Sequence, residues 1–241
     1  MPDAKKVLLT SGGWQGHQPE TVADCLETGP LSGYEVTRAR GLEVLSIDFL
    51  QEFDLLIPVW TFGSITATQE HALLESVAAG LGYFGLHGNA SAFLSSRLHK
   101  FMLGGQFVDH PGGDKVDYTV RFRAGDPIVQ GLGDLDVSSE QYYLLVDPAV
   151  TVLATTDIVG GPKPWLAGTE MPVAWKRMWG RGKVFYCALG HSPDTLSHPA
   201  VEVMLKRAID WACRTRVDVR GDQDHPQARS GSASRSEFDQ A

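Results

Sequence analysis

The sequence predicts an α/β domain built on a doubly wound, mainly parallel sheet with a β-hairpin near its C-terminal end. Three observations lead there. Strand-like and helix-like segments alternate through the first half, glycine-rich loops follow the strands, and the third strand is apolar on both faces. A strand covered by helices on each side has that all-apolar character, and a βαβα rhythm favours parallel pairing.

The elements follow in order. Residues 7–10 (Val-Leu-Leu-Thr) form the first strand, and residues 11–17 a glycine-rich loop. Pro19 suits the first turn of a helix that runs to about Glu27. Residues 34–37 read as a second strand, 46–53 as a short helical turn and 55–59 as the third strand. Residues 66–79 have helical spacing, with Ala72, Leu73, Ser76 and Val77 on one side and Glu70 and Glu75 on another. The strand Tyr83-Phe84-Gly85-Leu86 then ends at His87-Gly88-Asn89, and a helix is predicted over 90–103.

That last layout is a nucleophile elbow, a sharp strand-to-helix turn that lifts one side chain over a sheet. Glycines flank it because the crowded backbone leaves little room for a Cβ. The lifted residue is His87, and imidazole is a proton carrier or metal ligand rather than a lasting nucleophile.

The second half is richer in strands, at 116–123, 141–145 and 150–155, and residues 173–179 and 183–189 bracket Gly180-Arg181-Gly182 as a hairpin. A final helix over 199–214 buries Val201, Leu205, Ala208, Ile209 and Ala212. No linker interrupts residues 1–214, which read as one domain, and the Ser-, Arg-, Asp- and Gln-rich stretch 215–241 reads as a disordered tail.

Composition narrows the function classes. A net charge of -8 and no basic stripe argue against a nucleic-acid partner. The three cysteines, Cys25, Cys187 and Cys213, are widely spaced and read as reduced core thiols. No apolar run has signal-peptide or membrane-spanning length, so no membrane partner is expected and the cytoplasm is the default location. The loop Gly12-Gly13-Trp14-Gln15-Gly16 does not fit a dinucleotide fingerprint, and no phosphate-cradling P-loop motif occurs.

In open α/β sheets, ligands bind beyond the carboxyl ends of the strands. His17, His87, His110 and His191 all fall on that rim, whereas His71, His99 and His198 fall on helices and His225 in the tail. A lone loop histidine is more often a solvated residue than a catalyst, and His110-Pro111 could simply close a turn. Four together at strand ends favour function. Glu140, where a loop enters a strand, could orient an imidazole or act as a base; its bland alternative is an exposed edge carboxylate. Trp14, in a glycine-rich loop, is hard to bury and could cover a sugar with its ring.

Several segments together resemble the ThuA-like (trehalose-utilisation) family of the class I glutamine amidotransferase-like fold. They are Gly12-Gly13-Trp14-Gln15-Gly16-His17, Gly85-Leu86-His87-Gly88, the run from Gly104 to Pro111, Glu140-Gln141-Tyr142, Met171-Pro172-Val173-Ala174-Trp175, Gly182-Lys183-Val184-Phe185-Tyr186, Leu189-Gly190-His191 and Ile209-Asp210-Trp211-Ala212. The resemblance implies a flavodoxin-like sheet and bacterial carbohydrate metabolism, often of oxidised (3-keto) sugars. By position His87 matches the fold's cysteine nucleophile and His191 its histidine partner. Without an elbow thiol, thioester formation from glutamine is not available.

The expected function is therefore an enzyme acting on a sugar or keto-sugar through proton abstraction, then elimination, hydrolysis or isomerisation. His87, His191 and Glu140 are the catalytic candidates, and His17, Trp14, Trp60, His110 and Tyr142 the substrate-binding ones. The alternative is a non-catalytic sugar-binding or regulatory module that kept the pocket. A divalent metal such as Zn2+ is a candidate cofactor, with His17, His87, His191 and Glu140 as ligands, although the chain has no compact H-x-x-x-H element. The expected partner is a small-molecule carbohydrate, and a homo-oligomer stays open.

Overall fold

The computed structural model describes residues 4–215. In β1 (Lys6–Gly13) Val7, Leu8 and Leu9 are all buried, so both faces of the strand are covered. α1 (Pro19–Thr28) opens on proline, whose missing N–H costs nothing in a first turn, and buries Val22, Ala23 and Leu26. β2 (Glu35–Ala39), α2 (Ile47–Leu50) and β3 (Leu55–Thr61), apolar up to its last residue, follow. α3 (Ala67–Ala78) begins with a capping box in which Thr66 and Gln69 each accept the other's backbone N–H. β4 (Gly82–Leu86) is buried throughout. After it come α4 (Arg97–Leu103), β5 (Gly105–Asp109), β6 (Val116–Phe122), β7 (Leu135–Ser139), β8 (Tyr143–Val146) and β9 (Thr151–Asp157). β10 (Glu170–Trp179), β11 (Gly182–Cys187), α5 (Pro193–Leu196) and α6 (Pro199–Ala212) complete the domain.

The main sheet runs β2-β1-β3-β4-β11-β10-β9-β6-β7. Its first five strands are mutually parallel, and β10, β9, β6 and β7 extend it with antiparallel pairings. β10 and β11 pair antiparallel across Gly180 and Arg181. A separate two-stranded ribbon joins β5 and β8. The chain leaves β1 towards β2 on one side and β3 on the other. That reversal opens a crevice beyond the carboxyl ends of β1 and β3, the flavodoxin-like binding position. No described helix is long and apolar enough to cross a membrane.

Three sequence expectations are corrected. The helix over 90–103 is not continuous: a 3-10 turn at His87–Ser91 comes first, and α4 starts only at Arg97. Phe93, at φ 53°, breaks the path, and Ser96 accepts the His99 N–H as a new cap. β5 and β7 were not foreseen, since both are half-exposed strands whose existence depends on a partner far along the chain. β8 starts at Tyr143 rather than Gln141, because residues 140–142 turn into the core beneath the rim. The stretch 216–241 lies outside the described residues.

Trp175 ties the two halves together. It is fully buried on β10, its indole N–H donates to the Leu103 carbonyl at 2.8 Å, and its ring packs on Tyr186. Replacing it with alanine removes that bond and leaves a cavity between α4 and the sheet. Trp175→Ala should therefore lower the unfolding free energy by about 3–5 kcal/mol in a urea titration.

Candidate functional site

β4 ends at Leu86 and His87 stands directly beyond it, at φ 39°. Left-handed backbone at a non-glycine residue costs on the order of 1–3 kcal/mol and persists only where its surroundings enforce it. Here they do. Tyr186 on β11 donates its hydroxyl to the His87 carbonyl at 2.8 Å, and Ser91 donates to the Gly88 carbonyl at 2.9 Å. Asn89 is held between the Tyr83 hydroxyl and the Pro58 carbonyl. A Cβ on Gly88 would fall 1.9 Å from Thr61 Oγ1 and 2.8 Å from His17 Nδ1. Glycine is required there because two other site residues press against the turn. Gln18 and Phe62 also take positive φ (46° and 60°), each next to a site residue.

Five segments deliver the site. His17 comes from the loop after β1, Thr61 from the end of β3, His87 from the elbow and His191 from beyond β11. Glu140 and Tyr142 enter from the loop between β7 and β8. That loop is fixed by Gln141, whose amide donates to Thr156 Oγ1 and the Asp157 carbonyl while its oxygen accepts the Val159 N–H. Tyr118 donates to the Glu140 carbonyl at 3.0 Å.

Three imidazoles converge on one oxygen. Glu140 Oε2 lies 3.1 Å from His87 Nε2, 3.3 Å from His191 Nδ1 and 3.7 Å from His17 Nε2. The outer nitrogens are tied back. His87 Nδ1 donates to the Ala188 carbonyl at 2.7 Å, and His17 Nδ1 shares a 2.9 Å hydrogen bond with Thr61 Oγ1. Tyr142 stacks on His87 with centroids 4.2 Å apart, and its hydroxyl donates to His87 Nε2 at 2.8 Å.

Burial alone would push the Glu140 carboxyl up, but the His17, His191 and His87 imidazoles outweigh it and hold the group ionised well below the usual range. Burial depresses His87 to about 4, against the pull of Glu140, so it is neutral near pH 7. His191, at the more open edge, is raised by its pairing with Glu140. The cluster thus holds one carboxylate, a neutral elbow imidazole and one imidazole inclined to be positive.

The structure brings His17, His87, His191, Glu140 and Tyr142 together. His110 joins them from the side: its ring nitrogen, an Asp114 oxygen and a Glu140 oxygen all lie within 4.8 Å of one another. Trp14 is half-exposed, edge-on to His17 at 4.7 Å and 6.0 Å from exposed Phe62. Trp60 is half-buried against Gly12 and borders the same small crevice as His17 and His87. His99 is a core residue bonded to Tyr83 at 2.7 Å. Sequence reasoning missed Thr61, Phe62, Asp114 and Tyr186. None carries a local signal, because each acquires its role from a partner distant in the chain.

A mainly parallel sheet thus carries a strained elbow at its carboxyl edge, and the residue raised there is an imidazole. Cys187 offers no nucleophile to this elbow, since it is buried in β11 and burial pushes its thiol up to about 12. The chain belongs to the ThuA family, described as trehalose utilisation, whose model matches residues 6–212. At the level of the family this is a protein of carbohydrate metabolism.

Among solved structures, a ThuA-like protein from Parabacteroides merdae ATCC 43184 is similar at TM-score 0.70 and 18% identity, covering 93% of this chain and 95% of that one. A ThuA-like protein from Bacteroides uniformis ATCC 8492 gives 0.68 and 17%, covering 87% and 91%. A cold-adapted β-galactosidase from Rahnella sp. R3 gives 0.59 and 17%, covering 88% of this chain and 32% of that one. At these identities the likeness is one of fold. No curated protein matches the chain in sequence.

The contacts at Gly88 set an expected outcome. Gly88→Ala should force Thr61 and His17 away from the elbow, costing about 1–3 kcal/mol of stability by overpacking. It should also shift the His17 and His87 ring resonances in an NMR spectrum. Unchanged resonances would mean that the turn does not hold these rings.

Proposed function

We propose that the chain is an enzyme acting on a sugar or keto-sugar at the cluster of His17, His87, His191 and Glu140, without glutaminase activity. One observation carries the reading: three imidazoles from separate loops meet on a single buried carboxylate oxygen. Burying a carboxylate costs on the order of several kcal/mol, and a strained elbow adds to that cost. Such expense on the rim where this fold binds ligands supports catalysis rather than packing.

Proton abstraction beside a carbonyl, with later elimination or isomerisation, needs a base and something to steady an enolate. His191, at the more open edge, and the buried carboxylate of Glu140 beside it suit those tasks. His87, with both nitrogens engaged by the Ala188 carbonyl and the Tyr142 hydroxyl, is a fixed wall of the cluster rather than a proton carrier. The exposed Trp14 and Phe62 offer flat apolar faces on which a sugar ring can stack. Glutamine hydrolysis through a thioester is ruled out by the residue at the elbow, which carries no sulfur. The family description of trehalose utilisation supports the substrate class. The activity of the Rahnella β-galactosidase does not carry over, because the likeness covers only 32% of that chain.

The closure of both His87 nitrogens also favours a second reading, a sugar-binding module without turnover. A panel of 3-keto-glycosides and their parent disaccharides separates the two. Turnover by the wild type should fall at least about 10²-fold in Glu140→Gln, the scale of acid–base assistance, whereas Trp14→Ala should raise KM with little change in kcat. Equal turnover by the wild type and a His87→Ala/His191→Ala double variant would remove the cluster from the mechanism. Calorimetric binding with no turnover would establish the module.

A further inference from the structure

The four groups of the cluster point at one another in a way that hydrogen bonding does not satisfy. His87 Nδ1 faces a backbone carbonyl, which can only accept, so Nδ1 carries the hydrogen and the neutral ring presents a lone pair from Nε2. That lone pair meets the Glu140 carboxylate oxygen at 3.1 Å. The Tyr142 hydroxyl can cover one of these two acceptors with its single hydrogen, not both. His191 Nδ1 is buried 3.3 Å from the same oxygen and yet forms no hydrogen bond. His17 Nε2, at 3.7 Å, is beyond hydrogen-bonding reach of it.

From this geometry we infer that His17 Nε2, His87 Nε2, His191 Nδ1 and Glu140 Oε2 form a binding site for a divalent transition-metal ion, Zn2+ or a close relative. A cation among them turns the facing lone pairs of His87 Nε2 and Glu140 Oε2 from repulsive to attractive. The dimensions agree: metal–ligand bonds of about 2.0–2.1 Å in a tetrahedron place the ligand atoms roughly 3.3 Å apart. The three separations from Oε2, at 3.1, 3.3 and 3.7 Å, bracket that edge, and the four residues each offer a ligand atom within 4.8 Å of the others. Imidazole nitrogens with one carboxylate suit Zn2+ and its late first-row neighbours rather than Mg2+ or Ca2+.

The outer contacts are those that ligating histidines need. Ala188 fixes the tautomer of His87 so that Nε2 faces inward, and Thr61 holds the His17 ring from behind. Three of the ligands, His17, His87 and Glu140, are buried, while His191 is about a quarter exposed. An incoming substrate oxygen would therefore approach from the His191 side. A metal there supplies a Lewis acid for a carbonyl or enolate oxygen.

The inference rests on the proposed function only in taking this cluster as the working site. It changes what the cluster does, because ligands hold the ion instead of carrying a proton. His110, whose Nδ1 is buried without a partner beside Glu140 and Asp114, is not among the ligands.

The test reads metal and turnover separately. Purified full-length protein is stripped with chelator, and Zn2+ and Co2+ are titrated against a chromophoric competitor. We expect one equivalent per chain, bound more tightly than micromolar, with the visible absorption of Co2+ in a low-symmetry site. Zn2+ at a hundredfold excess over Kd should raise Tm by about 5–10 °C. Glu140→Gln and His17→Ala should each weaken binding by at least about 100-fold, and the more exposed His191→Ala serves if a buried variant fails to fold. A folded wild type that binds neither ion, or variants with wild-type affinity, would overturn the metal site. Sugar turnover that survives full chelation would overturn its catalytic role and leave the sugar reading intact. Tight metal binding without turnover would do the reverse.

Discussion

The rim depends on one buried carboxylate. Glu140 is almost fully enclosed, and its charge is sustained only by the groups that surround Oε2. Removing water from a carboxylate is expensive, so its partners must be placed with little freedom. Each lies on a different loop, and the rings of His17 and His87 are pinned by a contact behind them. Thr61 stands behind His17, the Ala188 carbonyl behind His87, and the Gln141 side chain anchors the segment that carries Glu140 itself. The parallel strands β1, β3, β4 and β11 are adjacent in the sheet, which is why their following loops can meet at all.

The elbow shows how the sheet meets the cost of such a centre. His87 keeps a left-handed backbone because the Tyr186 hydroxyl holds its carbonyl and Gly88 lets Thr61 and His17 approach closely. The turn has the geometry of a nucleophile elbow, but the residue it raises is an imidazole. A thiol at that corner would attack a carbonyl carbon. An imidazole with one nitrogen on a backbone carbonyl instead presents a fixed lone pair to its neighbours. The same turn can therefore serve a centre that binds and polarises rather than one that forms a covalent intermediate.

Much of this was legible in the chain. The apolar runs of β1, β3 and β4, the proline opening α1 and the spacing of α3 and α6 mark the parallel core, because burial on both faces leaves a pattern in consecutive residues. The rim positions of His17, His87 and His191 were legible too, since each follows a predicted strand and open α/β sheets gather such loops. What could not be read were β5 and β7, half-exposed strands stabilised by partners brought from elsewhere. The break after the 3-10 turn was likewise hidden, because a positive φ at Phe93 leaves no mark in the pattern of apolar residues.

By itself, the sequence determined the fold class and the chemical types available on its rim, since periodicity and turn residues act locally. Only the tertiary structure decided that Glu140 is the common partner of His17, His87 and His191 rather than an exposed edge residue. It alone turned Thr61 and Tyr186 from ordinary strand residues into supports of the site. The physical reason is that a buried charge is sustained by groups near it in space, and these lie 51 to 123 residues from Glu140 along the chain.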